Sequence, residues 1–375
     1  MVCKLGRSAH STSELKQLLN RLLFLHVNKH PLDRSFSGVF RALDEFGRAK
    51  GYSISDGNGA RKFVEEIGAW LCAHQKDPKM IHGFRIQGMF AYVAAALGHC
   101  EIITEEDSGE FYSSLEHLKR PDFRLLTIGN AEFFVEVKNF KQPKPFKEFR
   151  LKRKYAEQIL AYAEAFKKPL YFAIYWASWR VWTLNPLSCF SEGSNGFVLR
   201  LEDAVKSNHM NVLGDALIGI PKSLVLRFFT NPTEPRTEGV DGTTPFTISR
   251  VEYHSGGRMI TDPTEQKLAW FFLQFGHWDE LTHPAEIKDG ELVSFDFAPT
   301  RYGGNPEQEF QLIGSLSTMI SLQYNRFTVD DGAVNRLIPN IVPEKLGVRI
   351  ASDYKGEVLK LWRFSLVPPR DEMKA

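Results

Sequence analysis

Two short stretches hold residue types on which phosphodiester chemistry could be built: Arg120-Pro121-Asp122-Phe123 and, further along, Phe134-Val135-Glu136-Val137-Lys138. On a β-strand the side chains at i and i+2 share a face, so Glu136 and Lys138 are expected to point together while Val135 and Val137 face a core. If a strand opened by Asp122 pairs alongside, two carboxylates and an ammonium group converge on one spot. Oxygen-only ligands of this kind suit Mg²⁺ or Mn²⁺, which can hold a scissile phosphate and lower the pKa of a bound water. Lys138 would orient that water or offset charge on the phosphorane. The competing reading is an ion-pair patch guarding a sheet edge.

These residues need a scaffold, and the hydrophobic spacing supplies one. From Ser13 to about Asp77 the pattern is helical: Leu15, Leu18, Leu19, Leu22 and Leu23, then Phe40, Leu43 and Phe46, then Phe63, Ile67, Trp70 and Leu71. A further helix is expected over Phe84 to Leu97, stopped by Gly98, and a strand over Cys100 to Thr104. Asp122 to Thr127 and Ala131 to Lys138 read as antiparallel strands joined by a tight turn at Ile128-Gly129-Asn130. A helix from about Lys152 to Phe166 and a strand from Leu170 to Trp176 follow. Beyond Asn185 strands are expected at Ser223 to Phe229, Thr247 to Tyr253, Glu291 to Phe297 and Glu357 to Leu366. Asp262-Pro263-Thr264-Glu265 should open one helix, and Glu307 to Tyr324 should form another. Asn231 to Pro245, rich in Pro, Gly, Thr and charge, reads as a loop.

The pair of stretches resembles the PD-(D/E)xK phosphodiesterase superfamily, which includes restriction endonucleases, RecB-like exonucleases and Holliday-junction resolvases. The resemblance spans roughly residues 80 to 185, less than a third of the chain. It implies a restriction-endonuclease-like α/β core of helix, three strands, helix and strand. It also implies metal ligation by Asp122 and Glu136, with Lys138 as catalytic lysine. Gln158 and Tyr162 look like the QxxxY motif of the RecB-like and type I restriction branches, and four-residue spacing places both on one helical face. Tyr155, Ile159, Tyr162 and Phe166 also make an ordinary apolar stripe, so a core role for Tyr162 stands beside the catalytic one. Where the family has a glutamate on its first helix, this sequence has Gln87, a neutral ligand candidate that would bind metal more weakly.

A basic run follows the triplet: Lys138, Lys141, Lys144, Lys147, Arg150, Lys152, Arg153 and Lys154, interrupted by Glu148 alone. With Phe140, Phe146 and Phe149 interleaved, it suits phosphate gripping and base stacking, against the plainer reading of a solvated loop and helix start. Net charge is only +2, so attraction to nucleic acid has to be local.

The expected organisation is a helical N-terminal region (1–79), a nuclease domain (80–190) and a mixed α/β C-terminal domain (191–375) for recognition, oligomerisation or regulation. The expected activity is Mg²⁺-dependent (or Mn²⁺-dependent) cleavage of nucleic acid, taken as a DNA endonuclease, with a restriction or anti-phage role suggested by analogy. One such core cuts one strand, so a homodimer or larger complex is expected. The alternative is a catalytically inactive member of the fold that binds nucleic acid or scaffolds a complex, which Gln87 favours. The four cysteines lack zinc-ligand spacing, and no phosphate-binding loop of a nucleotide-driven motor is present. No apolar run reaches the ~20 residues of a membrane span, and the N-terminal one is too short for a signal peptide, so a cytoplasmic location is expected.

Overall fold

The computed structural model describes residues 37–107, 111–142, 147–237, 244–302, 307–345, 350–351 and 353–368. It is a mixed α/β structure with several sheets. Helices α1 (Ser37–Lys50) and α2 (Gly57–His74) pack through Phe46 against Phe63; the Leu15 to Leu23 segment lies outside the described residues. Helix α3 (Pro78–Leu97) begins where local chemistry dictates. Asp77 accepts from the Lys79 amide, Pro78 occupies the first turn, and Gly98 ends the helix at a left-handed φ of 82°.

The sheet beneath α3 contains β1 (Cys100–Glu105), β2 (Phe123–Thr127), β3 (Glu132–Phe140), β5 (Leu170–Trp176) and β6 (Val181–Pro186) in that spatial order. The β1/β2, β2/β3 and β5/β6 pairs are antiparallel, and β3/β5 is parallel. A parallel neighbour requires a crossover. Here it consists of the short strand β4 (Phe149–Lys152) and helix α4 (Arg153–Ala165). In the β2/β3 hairpin Phe123 pairs with Val135, and Asn130 takes the left-handed turn position at φ 58°.

Strand alternation sends β3 side chains into two cores. Phe133, Val135 and Val137 join α3 residues such as Phe90 and Val93, while Phe134 joins Ile159 and Tyr162 of α4 with Phe172 and Ile174 of β5. The α3-side core also takes in Ile218, Ile220, Phe272, Met319, Tyr324 and Leu359. Trp182 donates to Ser321 at 2.9 Å across it.

Past Asn185 the strands Leu224–Thr230, Ile248–Ser255 and Glu291–Thr300 lie near their expected places, and the helix opened by Asp262 runs Pro263–Phe275. Two expectations are corrected. Residues Phe310–Ser315 form a strand, with helix only from Leu316 to Thr328, because Gly314 at φ 111° breaks the run and Ser315 caps the helix. The expected strand over 357–366 shrinks to Trp362–Phe364, since Gly356 turns left-handed and the amides of 357–359 close on the Glu265 carboxylate. The 231–245 loop lies partly outside the described residues. Among those described, no helix is long and apolar enough to cross a membrane.

Candidate active site

Asp122 stands at the head of β2, 6% exposed, and three elements hold it. Its carbonyl accepts from the Glu106 amide at the end of β1 (2.9 Å), its Oδ2 from the Val137 amide of β3 (2.6 Å), and its Oδ1 from Gln87 Nε2 of α3 (2.6 Å). Glu136, in the middle of β3, is 2% exposed. Its Oε1 accepts from both Lys138 Nζ and the Tyr155 hydroxyl, and Lys138 also donates to that hydroxyl at 2.8 Å. Glu136 Oε2 is buried and has no hydrogen-bond partner among the described residues. The sheet therefore brings Asp122, Glu136 and Lys138 together, α3 adds Gln87 and α4 adds Tyr155.

This arrangement is electrostatically strained in one direction. Burial, and then the neighbouring Glu136 charge, push the Asp122 carboxyl up to about 7, against the Val137 N–H and Lys138. Asp107, just past β1, is raised by desolvation and then by Glu136, with Arg120 and Lys119 pulling the other way. Burial and Glu136 lift the Tyr155 phenol well above the ordinary tyrosine range, so it stays a donor. The Glu136 charge thus opposes ionisation of the buried Asp122 carboxyl, and although Lys138 pairs with Glu136 Oε1, Glu136 Oε2 is left buried without a partner among the described residues.

A hard divalent cation fits this donor set. Among the described residues no group of three or more His, Cys, Asp or Glu side chains could hold a metal alone. Mg²⁺ does not require one: it is commonly bound through one or two carboxylates, completing its shell with water and substrate phosphate. Gln87 reaches the site through its nitrogen. While Asp122 is ionised that amide must donate to it, so here Gln87 holds a carboxylate in place and its oxygen is turned away from Asp122.

Gln158 and Tyr162 share one face of α4, as the spacing predicts. The contact made at Gln158 is through its main chain, whose carbonyl accepts from the Lys119 amide at 3.1 Å. Tyr162 is buried, its ring edge-on to Phe111 and Phe134, and its hydroxyl donates to Glu106 at 2.5 Å. It also lines a cavity of about 280 Å³ with Phe111, Tyr112 and Phe166. Burial and then Glu106 raise its phenol to about 12. Tyr162 thus ties α4 to the segment just past β1, about two helical turns along α4 from Tyr155.

The basic run divides. Lys141, Lys147, Lys152 and Lys154 are exposed. Arg150 pairs with Glu148 at 2.7 Å, and Arg153 with Glu192 at 3.4 Å. Lys144 and Phe146 lie outside the described residues. The base-stacking expectation for the other two aromatics is overturned: Phe149 is 6% exposed and packs edge-on to Phe140 and Phe190, while Phe140 also packs on Trp176. Alternation along β4 turns Phe149 and Leu151 inward and leaves Arg150 and Lys152 outside. Sequence reasoning missed Tyr155, Asp107 and Lys119. Tyr155 sits at an apolar-stripe position, and the other two lie on loops, where spacing carries no geometric signal.

No family model and no curated protein matches the chain. Among solved structures it is similar to Hjc, a Holliday junction resolvase of the archaeal hyperthermophile Archaeoglobus fulgidus, at 18% identity and a TM-score of 0.24, over 30% of this chain and 85% of that one.

Proposed function

We propose that the chain is a metal-dependent nuclease of the PD-(D/E)xK type, built on a restriction-endonuclease-like core within residues 80–190 and hydrolysing phosphodiester bonds of DNA. The observation that carries this reading is the orphaned Glu136 Oε2, 2% exposed beside a carboxylate that its own charge helps to drive toward neutrality. A fold retains such a pair only with a compensating gain, and cation binding supplies one. Asp122 and Glu136 would hold Mg²⁺ or Mn²⁺. The bound ion would supply an activated water and charge neutralisation at the phosphate.

The chain's own residues do the rest. The Val137 amide and Gln87 fix the Asp122 carboxylate through one hydrogen bond to each oxygen. Lys138, partly exposed and anchored on Glu136 and Tyr155, has a third proton to donate to a phosphate oxygen or to the attacking water. Lys141, Lys147, Lys152 and Lys154 offer phosphate contacts flanking the site, with Lys144 between them in sequence. Tyr162 acts as a positioning residue, joining α4 to Glu106, and the main-chain carbonyl at Gln158 joins α4 to the Lys119 segment. Residues 191–375 would serve recognition, oligomerisation or regulation, and cutting both strands would engage a homodimer or two successive nicks.

One observation favours a second reading, an inactive member of the fold that binds nucleic acid or scaffolds a complex: the neutral Gln87 amide occupies Asp122 Oδ1. The two are separated by incubating plasmid, single strands and RNA with Mg²⁺, Mn²⁺ or EDTA, for wild type and Lys138→Ala. Metal-dependent cleavage, lost at least ~100-fold in the variant with binding retained, is expected. Binding of all three substrates without cleavage by the wild type would establish the second reading. Cleavage of RNA alone would keep the enzyme and move its substrate.

A further inference from the structure

Lys119 was not among the residues that motif or spacing selects, yet it is held at the site twice over. Its amide donates to the Gln158 carbonyl at 3.1 Å, which pins the backbone of this otherwise irregular segment onto α4. Its ammonium lies 4.1 Å from the centroid of the Tyr155 ring. The Lys138 ammonium lies 4.5 Å from the same centroid. One aromatic ring thus carries two cations, a recognised use of the negative face of an aromatic system. The ring is in turn fixed by its hydroxyl, which donates to Glu136 and accepts from Lys138.

The two ammonium groups are no farther apart than those ring distances allow, inside about one Debye length (~10 Å) at ordinary salt. Glu136 compensates Lys138 directly. Of the acids near Lys119, Asp107 feels its charge only weakly, after desolvation, Glu136, Arg120 and its own backbone hydrogen bond. Like charges gathered on one support at a partly open site are complementary to an anion with oxygens spaced to meet both. In a site that acts on phosphodiesters, that anion is a backbone phosphate.

The geometry points to Lys119 as a substrate-phosphate ligand and to the Tyr155 ring as the support that positions it beside Lys138. This rests on the nuclease reading above and deepens it: the phosphate held by Lys119 is the scissile one or its immediate neighbour, and recognition is through charge, independent of base sequence. Lys119 is exposed, so its removal should leave the fold intact.

The test uses the full chain in EDTA, where binding is read without cleavage. Dissociation constants are measured for a labelled duplex and for a single strand across a salt series, for wild type, Lys119→Ala, Lys119→Arg, Tyr155→Phe and Tyr155→Leu, with melting curves as a control. Lys119→Ala should flatten the log–log salt slope by about 0.9 on duplex and about 0.7 on single strand, the signature of one lost phosphate contact. Lys119→Arg should restore the slope. Tyr155→Leu, which removes the ring, should flatten it as Lys119→Ala does, and Tyr155→Phe, which keeps the ring but frees it from Glu136 and Lys138, should flatten it less. An unchanged slope in Lys119→Ala overturns the inference and leaves the nuclease reading standing. A flattened slope in Lys119→Ala with a wild-type slope in Tyr155→Leu overturns the role of the ring. Failure of the wild type to bind either strand form overturns this inference, while the nuclease reading stands or falls on the metal-dependent cleavage assay.

Discussion

Replacing Asp122 with asparagine should stabilise the metal-free protein at alkaline pH and abolish its stabilisation by divalent cations. Burial and the Glu136 charge raise the Asp122 carboxyl from 3.8 to about 7 in the folded state. The folded chain therefore holds this proton more tightly than the unfolded chain. No cost is felt below about pH 4; it grows as pH rises through the interval and is complete above about pH 7. Roughly three pH units at about 1.4 kcal/mol each set a ceiling on the order of 4 kcal/mol. A neutral amide escapes that cost and can keep both hydrogen bonds. Its oxygen accepts from the Val137 amide, and its NH₂ donates to Gln87 once that side chain turns its own oxygen inward. Allowing for relaxation and water penetration, a gain of about 1–3 kcal/mol at pH 8 is expected, or several degrees of melting temperature. The assay is thermal melting of both proteins at pH 4 and pH 8, in EDTA and in Mg²⁺ or Mn²⁺. In EDTA the variant should melt higher at pH 8 and level with wild type near pH 4. At metal concentrations ~100 times Kd the wild type should gain about 2.7 kcal/mol and the variant nothing. A variant that melts no higher than wild type at pH 8, or that responds equally to metal, refutes the reasoning.

Two further outcomes follow from the same geometry. Tyr162→Phe removes the hydroxyl from Glu106 while keeping the ring contacts with Phe111, Phe134 and Phe166; denaturant unfolding should show a loss of about 1–2 kcal/mol, and cleavage should fall less than ~10-fold, whereas a loss beyond ~100-fold at unchanged stability would place the hydroxyl on the substrate. Lys147→Ala with Lys154→Ala should flatten the salt dependence of DNA binding by up to about 0.9 per lysine, and Arg150→Ala, whose guanidinium is engaged by Glu148, should do less; equal effects would show that Arg150 leaves that pair on binding.

The hairpin that presents Glu136 and Lys138 was legible because a strand has a period of two and its turn residues announce themselves. Val135 and Val137 had to face one way, and Asn130 accepts the left-handed turn. The pairing of Asp122 with the Val137 amide follows from the β2/β3 register, which the turn length sets. Tyr155 was hidden because a tyrosine at helical spacing from Ile159 looks like core, and only its hydroxyl, invisible to periodicity, reaches Glu136. Phe140 and Phe149 misled for the converse reason: interleaved with lysines they look like stacking residues, while β4 alternation turns Phe149 inward and Phe140 packs on it and on Trp176. Gln87 shows a further limit. Its presence on α3 was readable, but the end of the amide that faces Asp122 depends on the charge of its neighbour. In the C-terminal half, Gly314 and Gly356 reset backbone direction where apolar spacing alone continued a helix or a strand.

The most direct test of the central claim is diffraction from crystals grown or soaked with Mn²⁺, recorded for anomalous signal. The account predicts a peak beside Asp122 and Glu136, the residues that would hold the ion, and its absence in Asp122→Asn. Saturating Mn²⁺ with no peak there, or a peak held by other residues while Glu136 Oε2 stays bare, would contradict it.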